Sequence, residues 1–570
     1  MTIVATGAAA DTRHPPWAFL PWHDDHPDRL DLDCQLPRDH LARQMQAAVE
    51  RLDLGELFGR YHGTGSAPYA PELLLRAVLY EVRSGHHSPA HWYDHACHST
   101  PVRWLLRGYR PSRSCWYAFR DRIAPLLFSL NAQLLTLAVA EELTPATRAA
   151  GDGTSIAANA SRHRLLNEAT LSKRVQQLNE AIAADDAAAA AAEPVAAVTP
   201  VAETAAPAPA ALPVVAAAAA AELVAAVTPV AETAVVAAAP APAALPVVAV
   251  PAAAAAVPGW MAKQPLGRAA QRLRYHKAQQ HLAQRHARNR AKVRSKQTPP
   301  ARLVISTADP EAALGLDKEK VFRPLYNVQV VDDLDSPFIL GYEVFAQPND
   351  AGLLGTLLAR VQTLIGHALA ALLTDMGYVG GADLRAAATA GVTVYAPLPQ
   401  ADPKAKQLPK SAFTWLPEEQ TYRCPQGHQL QLESEGKRRR SGPDHVVVQR
   451  FRCPAAHCLA CPLQAQCAQQ PQSGRTVSRS EYEPEVEALR QRLESAEAKA
   501  LYKLRKQTVE LVNADWKEHR KLRRFSGRGL VRARCQVGLI VLAHNLLTLL
   551  SEEKKKRARD AAVSPMDIVT

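Results

Sequence analysis

Tyr326-Asn327-Val328-Gln329-Val330-Val331-Asp332 and Phe338-Ile339-Leu340-Gly341-Tyr342-Glu343-Val344 flank the turn Asp333-Leu334-Asp335-Ser336-Pro337. Two runs rich in β-branched and aromatic residues, parted by Asp, Ser and Pro, predict an antiparallel hairpin. Downstream, 371–375 (Ala-Leu-Leu-Thr-Asp) and 392–396 (Val-Thr-Val-Tyr-Ala) read as buried strands. A helix is expected over 382–389 between them and another over 353–364 ahead of them. A hairpin followed by strand–helix–strand makes a mixed α/β sheet. Upstream, the small-residue strand Ala149 to Ala160 carries Asp152 between Gly151 and Gly153. Glycines on both sides let a bulky polyanion approach the backbone there.

Outward from this centre the pattern changes. Residues 36–143 read as helices with short breaks, striped by Leu73, Leu74, Ala77 and Val78 and by Leu126, Leu127, Leu130 and Leu134. Within them Ser112 is placed to cap a helix that carries Tyr117, Arg120 and Arg122. Such a helix suits DNA phosphates, or is simply a solvated face of an all-α domain. From Ala184 to Pro258 the chain is almost wholly Ala, Val and Pro. Val195–Ala205 recurs at Val224–Ala234, and the ten residues from Ala206 recur from Ala239. Alanine buries too little to repay chain entropy and regular prolines forbid a long helix, so a disordered or semi-extended insertion made by duplication is expected. A basic helix from Arg268 to Lys296 has no acid in it, which favours tracking of phosphates. A long helical stretch from Pro484 to about His519, an apolar helix Val537–Leu550 and a solvated tail Lys554-Lys555-Lys556-Arg557 complete the chain.

Its 570 residues hold 67 Lys and Arg against 55 Asp and Glu, a net charge of +12. That excess favours a polyanionic partner, nucleic acid before anionic membrane. Met1 to Pro16 has neither a basic start nor a continuous apolar run, so no signal peptide is expected. Prolines break the longest uncharged stretch, which argues against a membrane span there.

Cutting a phosphodiester and transferring its end calls for two hard cations, and these call for carboxylates from separate parts of the chain. Three acids stand where such a site could form. Asp152 is in the glycine-flanked strand, Asp375 ends an apolar strand, and Glu510 lies on a basic helix with Lys506, Asn513 and Lys517 at offsets that share its face. Each also has an ordinary reading as a turn cap or a surface ion pair. Asp332 and Asp350 are rivals for the second position. Five of the nine cysteines fall between Cys424 and Cys467, in the spacing Cys453-x4-Cys458-x2-Cys461-x5-Cys467 behind Cys424-Pro-Gln-Gly-His428. This zinc-ribbon-like pattern predicts a structural Zn²⁺ on Cys424, Cys458, Cys461 and Cys467, with Cys453 and His428 as alternates, or else free thiols in a loop. Cys34, Cys97, Cys115 and Cys535 are isolated.

Several of these segments together resemble the insertion-sequence DDE transposases. Asp152-Gly153-Thr154 with Ala158-Asn159-Ala160-Ser161 is similar to that family's first-acid motif, and Thr374-Asp375-Met376-Gly377-Tyr378 to its second. Ser306 to Pro310, Tyr326 to Gln329 and Asn349-Asp350 resemble the segments between them. Tyr502, Arg505, Glu510 and Lys517, then Arg524-Phe525 and Arg528-Gly529, resemble the third-acid helix and its continuation, and Ala543-His544-Asn545-Leu546 the closing helix. Leu325 and Leu511-Val512-Asn513-Ala514 depart from the family pattern.

The resemblance implies an α/β protein: an RNase H-like mixed-sheet core, an N-terminal all-α domain and a small Cys-rich insert. Asp152, Asp375 and Glu510 would hold catalytic Mg²⁺ or Mn²⁺, and Tyr502, Arg505 and Lys517 would touch double-stranded DNA at element ends. It further implies a homo-oligomer, a dimer, acting on DNA in the bacterial cytoplasm, away from membranes. The expected divisions are a tail (1–35), a helical DNA-binding domain (36–145), core (146–183), the Ala/Pro/Val insertion (184–258), a basic helix (259–300), core again (301–415), the Cys-rich insert (416–480), C-terminal helices (481–550) and a basic tail (551–570). A stand-alone nuclease and a degenerate, non-catalytic DNA-binding repressor are the competing readings.

Overall fold

The computed structural model describes residues 19, 27–61, 67–192, 257–399, 407–439 and 445–563. Most of the Ala/Pro/Val stretch, including both copies of its repeat, therefore lies outside the described residues.

Five of the six strands of the central sheet are β1 (Arg148–Ala157), β2 (Phe322–Asp333), β3 (Ile339–Phe345), β4 (Ala371–Leu373) and β5 (Thr393–Tyr395). The expected hairpin is β2 and β3, antiparallel with Val330 opposite Tyr342. β1 runs antiparallel to β2, with Asp152 opposite Val330, and parallel to β4, with Ala150 opposite Leu373. β5 lies parallel to β4. The order is β3-β2-β1-β4-β5, and the short strand Ala313–Leu316 extends the edge beside the start of β2. The small residues Ala149, Ala150 and Gly151 let β1 occupy the centre, covered on both faces. Helix Leu354–Ile365 buries Leu354, Leu357, Leu358, Val361 and Ile365, the spacing of one helical face.

The N-terminal region is helical as expected. It includes α1 (Pro71–Arg83), α2 (Pro89–His98) and the helix Arg113–Ile123, where the Ser112 hydroxyl accepts the Cys115 amide. Two helical stretches, Arg113–Ala140 and Leu530–Ala561, are long and apolar enough to cross a membrane by length and composition. Their residues Trp116, Phe119, Leu127, Leu130, Val537, Leu542 and Leu546 are buried in the same core as the sheet.

Two long helices form a separate hairpin: α3 (Glu168–Ala192) and α4 (Pro265–Arg290). Leu171, Val175 and Leu178 meet Tyr275, Ala278 and Leu282 in a core of their own. α3 thus runs past Ala184, where the change of composition suggested a boundary. The basic run ends as a helix at Arg290 rather than Lys296, since Asn289 exchanges hydrogen bonds with Thr298. Its charge is not wholly unbalanced either. Arg268 pairs with Asp185 of α3, Lys277 with Glu311, and Arg285 donates to the carbonyls of Val304 and Ala312.

The C-terminal helices differ from expectation at two points. The stretch from Pro484 is broken at Ser495, which caps the next helix, and again at Thr508 (φ −116°, ψ −97°). A 3-10 turn Leu504–Gln507 precedes that second break and α5 (Val509–Glu518) follows it. The Thr508 hydroxyl, bonded to the carbonyls of Leu504 and Arg505, competes with helix continuation. The apolar helix and the tail are one element, α6 (Leu530–Val563). Ahead of these helices, the strands Gln431–Arg439, His445–Arg452 and Thr476–Ser480 make the small antiparallel sheet of the Cys-rich insert.

Candidate active site

Register places the first two acids. Ala150 and Leu373 are opposite one another on parallel strands, so Asp152 and Asp375, each two residues further on, reach the same end of the sheet. Neighbouring strands are about 4.8 Å apart, and side chains two residues apart share a face. Helix α5 crosses that face on Val509, packed with Ala150 and Leu373, and the next residue is Glu510.

Arg505 joins the acids. Its Nη2 donates to Asp152 Oδ1 at 2.8 Å and its Nη1 to Glu510 Oε1 at 3.2 Å. Asn513 Nδ2 donates to the other Asp152 oxygen at 2.8 Å. Burial raises the Asp152 carboxyl above its usual range and nearby Asp375 adds to this, while Arg505 and Lys318 oppose it. Asp375 caps its own turn, accepting the Gly377 amide at 2.7 Å. Lys517 is half-buried beside Lys318 and Asp152, and burial holds its ammonium below the normal lysine range. The result is a group of acids beside two lysines, with one cation of the chain already bonded among them.

Several residues differ from expectation. Lys506 is outside α5 and does not share the Glu510 face, because of the break at Thr508. Arg505 is buried between carboxylates rather than presented at the surface. Tyr502 donates its hydroxyl to the Thr374 carbonyl at 3.1 Å, just ahead of Asp375. On the helix Arg113–Ile123, Arg120 is buried and bonded to Asp121, and Arg122 stacks on Tyr61 with its guanidinium carbon 4.1 Å from the ring centroid. Neither arginine stands as a free surface cation, because each has found a partner close by.

The two rival acids separate clearly. A side chain at Gly153 would collide with Asp350, so Asp350 is on the face of β1 opposite to Asp152. There Asn327 and Gln329 donate to its Oδ1 at 2.8 and 2.7 Å. Asp332, opposite Ala150, shares the Asp152 face, and both its oxygens are buried without a hydrogen-bond partner. Burial pushes its carboxyl well above the usual range, and the neighbouring Asp152 and Asp333 push the same way. The sequence offered only its hairpin position and no sign of this isolation.

Other resembling segments hold the frame. Asp309 accepts the Tyr326 hydroxyl and the Gly529 amide, and Asn545 exchanges two hydrogen bonds with the Ile339 backbone. In the insert, Cys424, Cys453, Cys458 and Cys467 share one small core with Phe413, Tyr422 and Phe451. Cys424 opens a tight turn closed by Gly427 at φ +85°. Burial, and a hydrogen bond with Cys458, push the Cys453 thiol up to about 12. His428 stacks on His457, ring centroids 4.1 Å apart.

Two family models match the chain. Residues 423–550 match a transposase DDE domain, and residues 30–122 match a transposase domain of otherwise undefined role. No curated protein and no solved structure matches it.

Proposed function

The two matches support an insertion-sequence DDE transposase, and on that footing we propose that this chain cuts and joins DNA at the ends of such an element. In this reading the core is RNase H-like, and Asp152, Asp375 and Glu510 are its metal-holding carboxylates. One observation carries it: the Arg505 guanidinium bonded to both Asp152 and Glu510, a positive charge of the chain's own where these acids meet. Oxygen donors from three carboxylates fit Mg²⁺ or Mn²⁺. Bound there, such ions would activate the attacking water or 3′-hydroxyl and stabilise the leaving oxygen of an in-line displacement.

The chain's own residues do the rest. Asn513 fixes the orientation of Asp152, and Tyr502 holds the strand end that carries Asp375. Lys517 and Lys318 supply positive charge for the phosphates beside these acids. Arg505 exchanges carboxylates for phosphate when DNA arrives, since a guanidinium pairs with either through the same fork of donors. The Cys-rich insert holds one structural Zn²⁺ on Cys424, Cys458, Cys461 and Cys467, and two copies of the chain act together on double-stranded DNA.

Asp375→Asn and Glu510→Gln keep shape and remove charge. Both variants should bind element ends like the parent, yet cut and join them about a thousandfold more slowly, the scale of several kcal/mol. Joining at a near-parental rate by Asp375→Asn would remove that residue from the site. A parent that binds ends but never cuts them would favour a repressor, and one that cuts without joining, a nuclease.

A further inference from the structure

A second group of ligating side chains lies in the helical region, apart from Asp152, Asp375 and Glu510. α1 ends at Ser84, Gly85 turns the chain with φ +84°, and α2 starts behind its Ser88 cap. This turn brings Glu81 from α1, His86 from the turn and His95 from α2 to one place. One ligand atom from each lies within 4.8 Å of the other two. His95 Nδ1 is 2.7 Å from Glu81 Oε2, and the His86 and His95 rings meet edge to face with centroids 4.6 Å apart.

An ion pair between Glu81 and His95 accounts for two of the three groups and leaves out His86, whose ligand atom comes within 4.8 Å of both. Glu81 is 1% exposed, so its carboxyl is held in one place beside the two half-buried rings.

We propose that Glu81, His86 and His95 bind one zinc ion, with water or the nearby His91 as the fourth ligand. Two imidazoles and a carboxylate are a zinc donor set, and bonds of about 2.0–2.2 Å set tetrahedral ligand atoms about 3.3 Å apart. The ligand atoms here span 2.7 Å to at most 4.8 Å, and rotation of the half-buried His86 and His95 about a fixed Glu81 would bring them to that spacing. The place of the site gives it a role. Arg520 donates to the Arg83 carbonyl at 2.7 Å, the His87 ring meets the Arg520 carbonyl, and the Ser526 hydroxyl donates to the His87 carbonyl. Zinc would stiffen the turn on which the helical region holds the segment after Glu510.

The full-length protein, stripped by a chelator and then titrated with Zn²⁺ against a chromophoric competitor, tests this. The parent should hold about one equivalent more than His86→Gln/His95→Gln, as one site requires. With Co²⁺ as the probe, the bands lost in that variant should lack sulfur-to-metal charge transfer, which sets them apart from the cysteines. Glu81→Gln, nearly the same shape, covers the case in which the double variant does not fold, and should weaken the site at least tenfold. Equal zinc in parent and double variant, a thiolate signature in the lost bands, or unchanged affinity in Glu81→Gln would each overturn the assignment.

Discussion

Asp152 and Asp350 lie on either side of Gly153 near the same end of the sheet, and the difference between them shows what makes an acid available. Asp350 is held by two amide donors, Asn327 and Gln329, two residues apart on one face of β2. Such neutral, rigid partners have nowhere better to go. Asp152 has one amide, Asn513, and one cation, Arg505, on a long side chain that is shared with Glu510. Asp350 also lies beside Gly377, whose amide Asp375 accepts, so what separates it from Asp152 is its partners and not its distance from the site: a cation can be exchanged for another cation, whereas two fixed amides hold their acid in place.

The strongest test of this contrast is to remove each acid. Asp152→Asn should abolish cutting and joining while leaving the melting temperature close to that of the parent. Asp350→Ala should lower stability by about 2–4 kcal/mol, since two buried amides lose their acceptor. The molecules of that variant that remain folded should retain most of their activity. Chemical denaturation read beside a joining assay separates the two outcomes, and a reversal of the pattern would exchange the roles assigned to the two acids.

Asp332 sharpens the comparison with a smaller effect. It shares the Asp152 face but has neither an amide nor a cation. Its folded pKa lies above the unfolded value of about 4, so the folded state holds the extra proton and stability falls as pH rises through that window. Asp332→Val, a β-branched residue suited to a strand, should raise stability by about 1–2 kcal/mol at neutral pH and flatten this fall. Denaturation midpoints taken from acid to neutral pH would show whether the slope belongs to Asp332.

Lys517→Ala should give the smallest change. DNA binding weakens modestly, and the slope of log affinity against log salt falls by about one, as loss of one phosphate contact requires. An unchanged slope would place Lys517 with the frame rather than with the phosphates.

Much of this was legible from the chain itself. The hairpin and the strand–helix–strand unit follow from apolar runs between turn residues, and Ser112 from its place before a helix. Asp152 could be matched as the acid of a glycine-flanked strand and Asp375 as a strand-end acid. What escaped reading depends on partners far away in sequence. Arg505 looks like a surface cation until β1 brings Asp152 to it, and Arg120 until it folds back on its neighbours. Thr508 carries no strong breaker signal, so the face shared by Lys506 and Glu510 was drawn one turn too far. Glu81, His86 and His95 follow no helical period and only the turn at Gly85 assembles them.

The ion pair between Arg268 and Asp185 has a consequence for the history of the chain. It clasps α3 and α4 near the ends from which residues 193–256 depart and to which they return. A closed clasp ties the two helices to each other directly, so their pairing does not depend on how much sequence lies between them. A tract whose two halves repeat each other is what such independence permits: copying errors there go unpunished, and length can drift while the sheet and its acids stay as they are.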